Sequence, residues 1–386
     1  DLFSNVTEIQ WQMVVMWVIG GLLMSITTLI LHHTGNFTVQ FTTSMQSPMM
    51  LAFFTTVGVG GSFGLLKKGG RALIIYLVFC WVLAAIQNAF GAGLASALGL
   101  NPLLGIMAGA VSLEGGHGAA AAFGPMVEGL GVKGAAAVAI ASATFGLIAG
   151  GLLGGPVAKT LIERHHLKIE ANADTMFQKS ADDILNEQSE RKVTSAALLS
   201  TLALVLILMV IGSYLSQYIA RLTAGTNFSL PGYVTAMFAA VVFRNLNDHL
   251  HFVKINSSCI DIISDISIGI FLTMAMMSLR IWDLYDLALP LIVILMLQTT
   301  LIVLLAMFVL FRLLGRDYDA VVMCSGFIGH GLGATPNAVA NMGSVCERYG
   351  VMSYKAFLIV PLCGAVLIDL VGIPNIVWFI NFFANR

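Results

Sequence analysis

Charge is what this sequence has least of. Lysine, arginine, aspartate and glutamate together make up 10% of its 386 residues, against 58% hydrophobic ones. Soluble domains carry about 25% charged residues, so a water-soluble globular fold is excluded and a multi-pass membrane protein is expected. The formal charge of -1 comes without any basic patch, so no nucleic-acid partner is expected. Cysteine is sparse too: Cys80, Cys259, Cys324, Cys346 and Cys363 are scattered without metal-ligand spacing, and most read as small apolar residues. No nucleophile–base set, phosphate loop or nucleotide motif is present, which argues against an enzyme, and no cofactor is expected. The chain opens DLFSNVTEIQWQ, with neither Met nor a positively charged start, so no signal peptide is expected.

What is present is a series of apolar runs suited to helices crossing a ~30 Å hydrocarbon core. The pattern predicts helices over 11–31, 48–66, 72–98, a short 101–113, 119–130 and 134–158. A polar connector, 159–192, mixes Lys159, Arg164, Lys168, Lys179, Arg191 and Lys192 with seven acids. Beyond it, helices are predicted over 193–222, 231–244, 259–279, 287–314 and 355–383.

Two glycine-rich breaks interrupt this apolar sequence. The first is SLEGGHGAAAAFG, Ser112 to Gly124; the second is CSGFIGHGLGATPNAVANMG, Cys324 to Gly343. Unpaired peptide groups are too costly in hydrocarbon, so each break must face protein or a water-lined cavity. Both contain Gly-His-Gly, at Gly116-His117-Gly118 and Gly329-His330-Gly331. Gln87 upstream pairs in order with Gln298, and the turn at Gly99-Leu100-Asn101 with Gly315-Arg316-Asp317. The ordered set reads as an internal repeat: residues 1–158 with a hairpin at 101–130, the 159–192 connector, and 193–386 with a hairpin at 317–347. The helix over 193–222 has no partner in the first half, and a helix before Asp1 would restore the symmetry.

Charge then orients the breaks. With Lys67, Lys68, Arg71 and the connector placed in the cytoplasm, the first break must be a hairpin that enters and leaves from outside. The second must enter from inside. The expectation is an all-α polytopic membrane protein with inverted structural repeats and two re-entrant helical hairpins, whose tips meet near the bilayer midplane.

Such tips bind ions and anions because half-helices end in unpaired groups, N–H for carboxylates and C=O for cations. Gly115, Gly116, Gly118, Gly331 and Gly333 would let the main chain approach a ligand, or else only permit tight helix crossings. His117 and His330 either donate to substrate or pair with a neighbouring carbonyl. Thr335, Asn337 and Asn341, around Pro336, offer neutral oxygens and amides for substrate. Ser142 and Thr144 could add oxygens for an ion, or bond back to their own helix. Two acids in apolar sequence, Glu114 and Asp369, read as functional by default. Asp369 is the best candidate for a sodium ligand or proton carrier; Glu114 is a further ion-binding candidate at the first break, or caps a helix. Gln87 and Gln298 are either ligands or helix-to-helix glue.

At these motifs the chain resembles the bacterial sodium/glutamate symporter family. The resemblance rests on Gly115-Gly116-His117-Gly118, Ala143-Thr144-Phe145-Gly146-Leu147, Gly154-Gly155-Pro156-Val157-Ala158, and Gly333-Ala334-Thr335-Pro336 with Ala340-Asn341-Met342. Gln298-Thr299 and Asp369 also fall where that family has them. It departs at Glu114, where a small hydroxyl residue is usual, and at Ala119, where Thr is. The resemblance implies sodium-coupled uptake of L-glutamate across the bacterial inner membrane. It also implies a homodimer, in which a transport domain bearing both hairpins moves against a dimerisation scaffold. Proton coupling, another amino acid or organic anion as substrate, and a non-transporting anion-binding scaffold or sensor stand as alternatives.

Overall fold

The structure is a computed structural model that describes residues 44–167, 193–222, 230–277 and 287–384, together with Leu23, Thr27, Ile169 and Tyr285. The helix predicted over 11–31 and most of the polar connector lie outside these residues. Among the described residues there are helices and no strands. In chain order they are α1 (Gln46–Gly60), α2 (Gly64–Ala97), α3 (Pro102–Met107), α4 (Ala110–Leu113), α5 (Gly116–Gly129) and α6 (Ala135–His165). After the connector come α7 (Ser195–Leu222), α8 (Gly232–Leu250), α9 (Ser257–Met277) and α10 (Ala288–Leu313). The chain ends with α11 (Tyr318–Leu332), α12 (Thr335–Tyr349), α13 (Tyr354–Leu362) and α14 (Asp369–Ala384). Among the described residues, five helices are long and apolar enough to cross a membrane, so the protein is a multi-pass membrane protein.

Local chemistry explains where the elements start. Asn101 accepts from the Leu103 N–H at 2.9 Å and precedes Pro102, so α3 begins with both a side-chain cap and a preset φ. Asp317 caps α11 in the same way, accepting from the Ala320 N–H at 2.7 Å. α6 runs past the predicted end at Ala158, because Lys159 and Glu163 pair one turn apart at 3.6 Å and extend it as a polar tip. It stops at His166, whose φ is 47°.

Backbone contact through glycine holds the larger part of the bundle together. A β-carbon on Gly91 would fall 2.2 Å from the Gly105 carbonyl oxygen, so α2 and α3 touch main chain to main chain. On α6, Gly146, Gly150 and Gly154 make a stripe at helical spacing. A β-carbon there would lie 2.0 Å from Leu332 O, 3.2 Å from Leu332 Cβ and 2.2 Å from Asn341 Nδ2, respectively. α6 is thereby pressed onto α11 and α12, the small-residue packing that membrane helices use.

α1, α7, α8 and α9 build a second, smaller apolar cluster of Ala52, Val59, Val205, Leu208, Ala240 and Ile260. Glycine again sets the spacing: Gly58 abuts the Met237 carbonyl and Gly212 abuts Ala236. Phe54, Tyr233 and Phe271 from these helices reach into the larger core, so the seam between the two groups is itself apolar. The candidate site lies along that seam.

Candidate functional site

Both breaks are real, and both are shorter than the motifs that contain them. The first comes at Glu114 and Gly115, between α4 and α5; Gly116, at φ +61°, opens α5. The second is Gly333 and Ala334, between α11 and α12. The first break thus lies within Ser112 to Gly124 and the second within Cys324 to Gly343. Gly116-His117-Gly118 is the first turn of the helix leaving its break, whereas Gly329-His330-Gly331 is the last full turn of the helix entering its own. The sequence match between them sets side by side two segments on opposite sides of their breaks.

α11 and α12 fold back on each other after the second break. Gly329 lies against Ala338, Gly326 against Met342, and the Asn341 amide donates to Ser325 O at 3.2 Å. The two breaks also meet: a β-carbon on Gly116 would sit 3.2 Å from the Gly333 carbonyl oxygen.

Adjacent residues of α2 hold one break each. Gln87 donates from Nε2 to Gly331 O at 2.9 Å, beside the second break. Asn88 accepts through Oδ1 from the Ala110 N–H at 3.1 Å, at the start of α4, and donates to Asn375 Oδ1 of α14 at 3.0 Å. Gln298 of α10 donates to the Gln87 main-chain oxygen at 2.7 Å. Gln87 and Gln298 are thus helix-to-helix ties in this conformation, with both Oε1 atoms buried and unpartnered. Sequence reasoning passed over Asn88, whose position next to Gln87 in an apolar helix was the available signal.

A cavity of ≈ 520 Å³ opens where the breaks meet. One wall carries Glu114 to Ala119 from the first break, Ala334 to Pro336 from the second, and Asp369, Gly372, Ile373 and Ile376 from α14. The opposite wall comes from the smaller helix group: Phe53 and Phe54 of α1, and Ser264, Asp265, Ile268, Gly269 and Leu272 of α9. Of the expected site residues, Glu114, Gly115, Gly116, His117, Gly118, Thr335 and Asp369 are brought to this one cavity.

The remaining expected residues stand behind it. Asn337 donates to Leu147 O at 2.6 Å and Asn341 to Gly150 O at 2.9 Å, so both side-chain amides clamp α12 to α6. Gly333 and Gly331 belong to the break and its approach. His330 is 2% exposed with neither ring nitrogen partnered. It lies beside Thr335 against Gly364, where a β-carbon would come 2.9 Å from Nδ1 and 2.8 Å from the Thr335 hydroxyl. Gly364 sits in a π-helical turn, Cys363–Leu367, just before Asp369; such turns recur at functional sites. Ser142 bonds back to Val138 O at 2.7 Å, away from the cavity.

His117 is oriented by Thr144. The Thr144 hydroxyl donates to Ile140 O at 3.0 Å, so its one hydrogen is engaged and it accepts from His117 Nε2 at 3.1 Å. In the neutral ring this places the hydrogen on Nε2 and leaves Nδ1 an acceptor. The first turns of α5 and α12 supply the opposite chemistry, since opening N–H groups of a helix have no intrahelical partner. Asp265 and Ser264 were missed from sequence, although Asp261 and Asp265, one turn apart in an apolar span, carried the same signal as Asp369. Among the described residues no set of three His, Cys, Asp or Glu side chains is close enough to hold a metal ion.

Comparisons with known proteins agree with the resemblance of these motifs. The sodium/glutamate symporter family model matches residues 2–351. The sodium/glutamate symporter of Escherichia coli (strain K12) is 41% identical over 360 residues, covering 92% of this chain and 87% of that protein; the one from Shigella flexneri gives the same figures. The sodium/glutamate symporter of Haemophilus influenzae is 39% identical over the same extent. No solved structure gives a significant match. A cavity where two helix breaks meet beside an intramembrane acid, in a chain that shares about two residues in five with these transporters, makes this protein a member of the sodium/glutamate symporter family.

Proposed function

We propose that this protein imports L-glutamate with sodium across a bacterial inner membrane by alternating access. The observation that carries the reading is the meeting of both helix breaks at one cavity beside Asp369. In this reading the breaks are the tips of two re-entrant hairpins that enter from opposite faces, in two inverted repeats spanning 1–158 and 193–386 and joined by the 159–192 connector. The ligand's carboxylates lie at the opening N–H groups of α5 and α12, at Gly116, His117, Gly118 and Thr335. Asp369 serves the coupling sodium, while Thr144 orients His117. Asn337, Asn341 and His330 position the second break from behind.

The two-walled cavity supports an elevator-like movement. The breaks and Asp369 ride on the glycine-packed group around α6, α11 and α12, while Asp265 and Phe53 belong to the group of α1, α7, α8 and α9. Sliding one group along the apolar seam would carry the ligand between sides, with the smaller group as the scaffold of a homodimer.

Purified protein in liposomes under an inward sodium gradient tests this. Concentrative, sodium-dependent glutamate uptake is expected. Failure to accumulate glutamate or any tested carboxylate, under sodium or proton gradients, overturns transport in favour of a binding scaffold or sensor. Accumulation against the substrate's own gradient excludes a channel. Glu114, a carboxyl group inside the anion's own cavity, favours a second reading in which another amino acid is carried; uptake competition among amino acids decides between them.

A further inference from the structure

Asn88 of α2 is fully buried, and its side chain serves two other helices at once. Its Oδ1 accepts from the Ala110 N–H of α4 at 3.1 Å, and a main-chain N–H can only donate. The amide is therefore oriented, with Nδ2 left to donate to Asn375 Oδ1 of α14 at 3.0 Å. Gly109 permits the approach, since a β-carbon there would stand 2.9 Å from Gln87 O and 3.3 Å from Asn88 Oδ1.

Ala110 is the root of the first break. Its N–H opens α4 and has no partner inside that helix, so Asn88 supplies one. Its carbonyl oxygen accepts from the N–H groups of both break residues, Glu114 at 3.3 Å and Gly115 at 2.9 Å. α4 has only 4 residues, so displacing Ala110 displaces the break and the cavity wall to which both contribute.

The other end of the link is tied to the acid of α14. Asn375 lies less than two turns beyond Asp369, about 9 Å along the helix axis. The regular ladder is interrupted on both sides of this stretch, by the π-helical turn Cys363–Leu367 and by Pro374. The piece bearing Asp369 can therefore shift by itself, and its movement reaches Asn375 through the adjoining chain. We infer that Asn88 is the positioning residue through which sodium at Asp369 sets the first break for the ligand, with Asn375 as its contact on α14. This rests on the proposed symport reading, and concerns how the two ligands are coupled rather than which are carried.

Isothermal titration of the purified protein with L-glutamate, at low and at saturating sodium, measures that coupling as the ratio of the two dissociation constants. In the unaltered protein sodium is expected to tighten glutamate by about 5- to 150-fold, the range typical of coupled sites. Asn375→Ala cuts the link but leaves the Ala110 N–H its partner, and Asn375 is only half-buried, so this variant is expected to fold. It should reduce the ratio at least about threefold. Asn88→Ala should reduce it as much, and should also weaken glutamate at both sodium concentrations, because the break is then unheld. The double variant should lose no more of the ratio than either single one, since both changes cut the same link. A merely structural tie would lower the thermal midpoint and leave the ratio alone. Full retention of the ratio in either single variant, monodisperse on a sizing column, overturns the inference, as does additive loss in the double variant. Absence of any sodium effect on glutamate binding by the unaltered protein would instead sink the symport reading itself.

Discussion

The α-carbon of Gly116 faces the carbonyl oxygen of Gly333, close enough that a β-carbon would stand 3.2 Å from it. Two helix breaks more than two hundred residues apart in sequence thus touch without a side chain between them. At φ +61°, Gly116 also occupies a conformation that costs other residues roughly 1–2 kcal/mol. Gly116→Ala is expected to stay folded, since one methyl group must displace only a carbonyl. It should reduce glutamate uptake at least about tenfold by parting the breaks. Uptake, normalised to monodisperse protein on a sizing column, is the measurement; undiminished uptake would mean that the contact does not shape the site.

Gly146 of the α6 stripe should behave differently, because its main-chain neighbour is far closer. Gly146→Val would drive a side chain into Leu332 O, which a β-carbon alone already meets at 2.0 Å. The expected result is loss of about 1–3 kcal/mol or more of stability, with separation of α6 from α11. A thermal-unfolding midpoint in detergent equal to that of the unaltered protein would contradict this packing.

Asn341→Ala removes the amide that ties Gly150 O of α6 to Ser325 O of α11. Each such hydrogen bond contributes about 0.5–1.5 kcal/mol, so the variant should be both less stable and a weaker glutamate binder. Its sodium half-saturation at saturating glutamate should not move. A changed sodium requirement with normal stability would instead place Asn341 among the ion's ligands.

Asp369→Asn should do the reverse, raising the half-saturating sodium concentration while near-normal glutamate affinity returns at saturating sodium. Uptake measured across a sodium series in liposomes reads both. If the sodium curve of folded Asp369→Asn protein coincides with that of the unaltered protein, the carboxylate has another purpose.

The orientation of the breaks has its own test. Single cysteines placed at 126–133 and in the 159–192 connector, in a background without the five native ones, should react with impermeant reagents from opposite sides. Reaction from the same side would make the first break a full crossing and remove the opposed entry of the hairpins.

Much of this was legible in residues because membrane sequence has a narrow grammar. Helix existence follows from apolar length, and the α3 and α11 starts were visible in Asn101 and Asp317. The importance of the breaks followed from glycines where hydrocarbon forbids loose main chain. Their limits were not legible. Helical φ and ψ continue through His117 on one side and His330 on the other, which composition cannot reveal. Nor could the sequence show that Asn337 and Asn341 face α6 while Asp265 faces the cavity. That depends on which face of a helix meets its neighbour, and these helices are apolar nearly all round.

The far wall of the cavity has a practical meaning. Phe53, Phe54, Ser264 and Asp265 belong to helices outside the group that fixes the two breaks. Ligand size and shape could therefore be retuned there, by enlarging or trimming Phe53 or Ser264, without disturbing the peptide groups that greet the carboxylate. One side of the chamber is a template held by backbone, and the other is an exchangeable lining. A laboratory seeking a transporter for a bulkier amino acid would begin with α1 and α9.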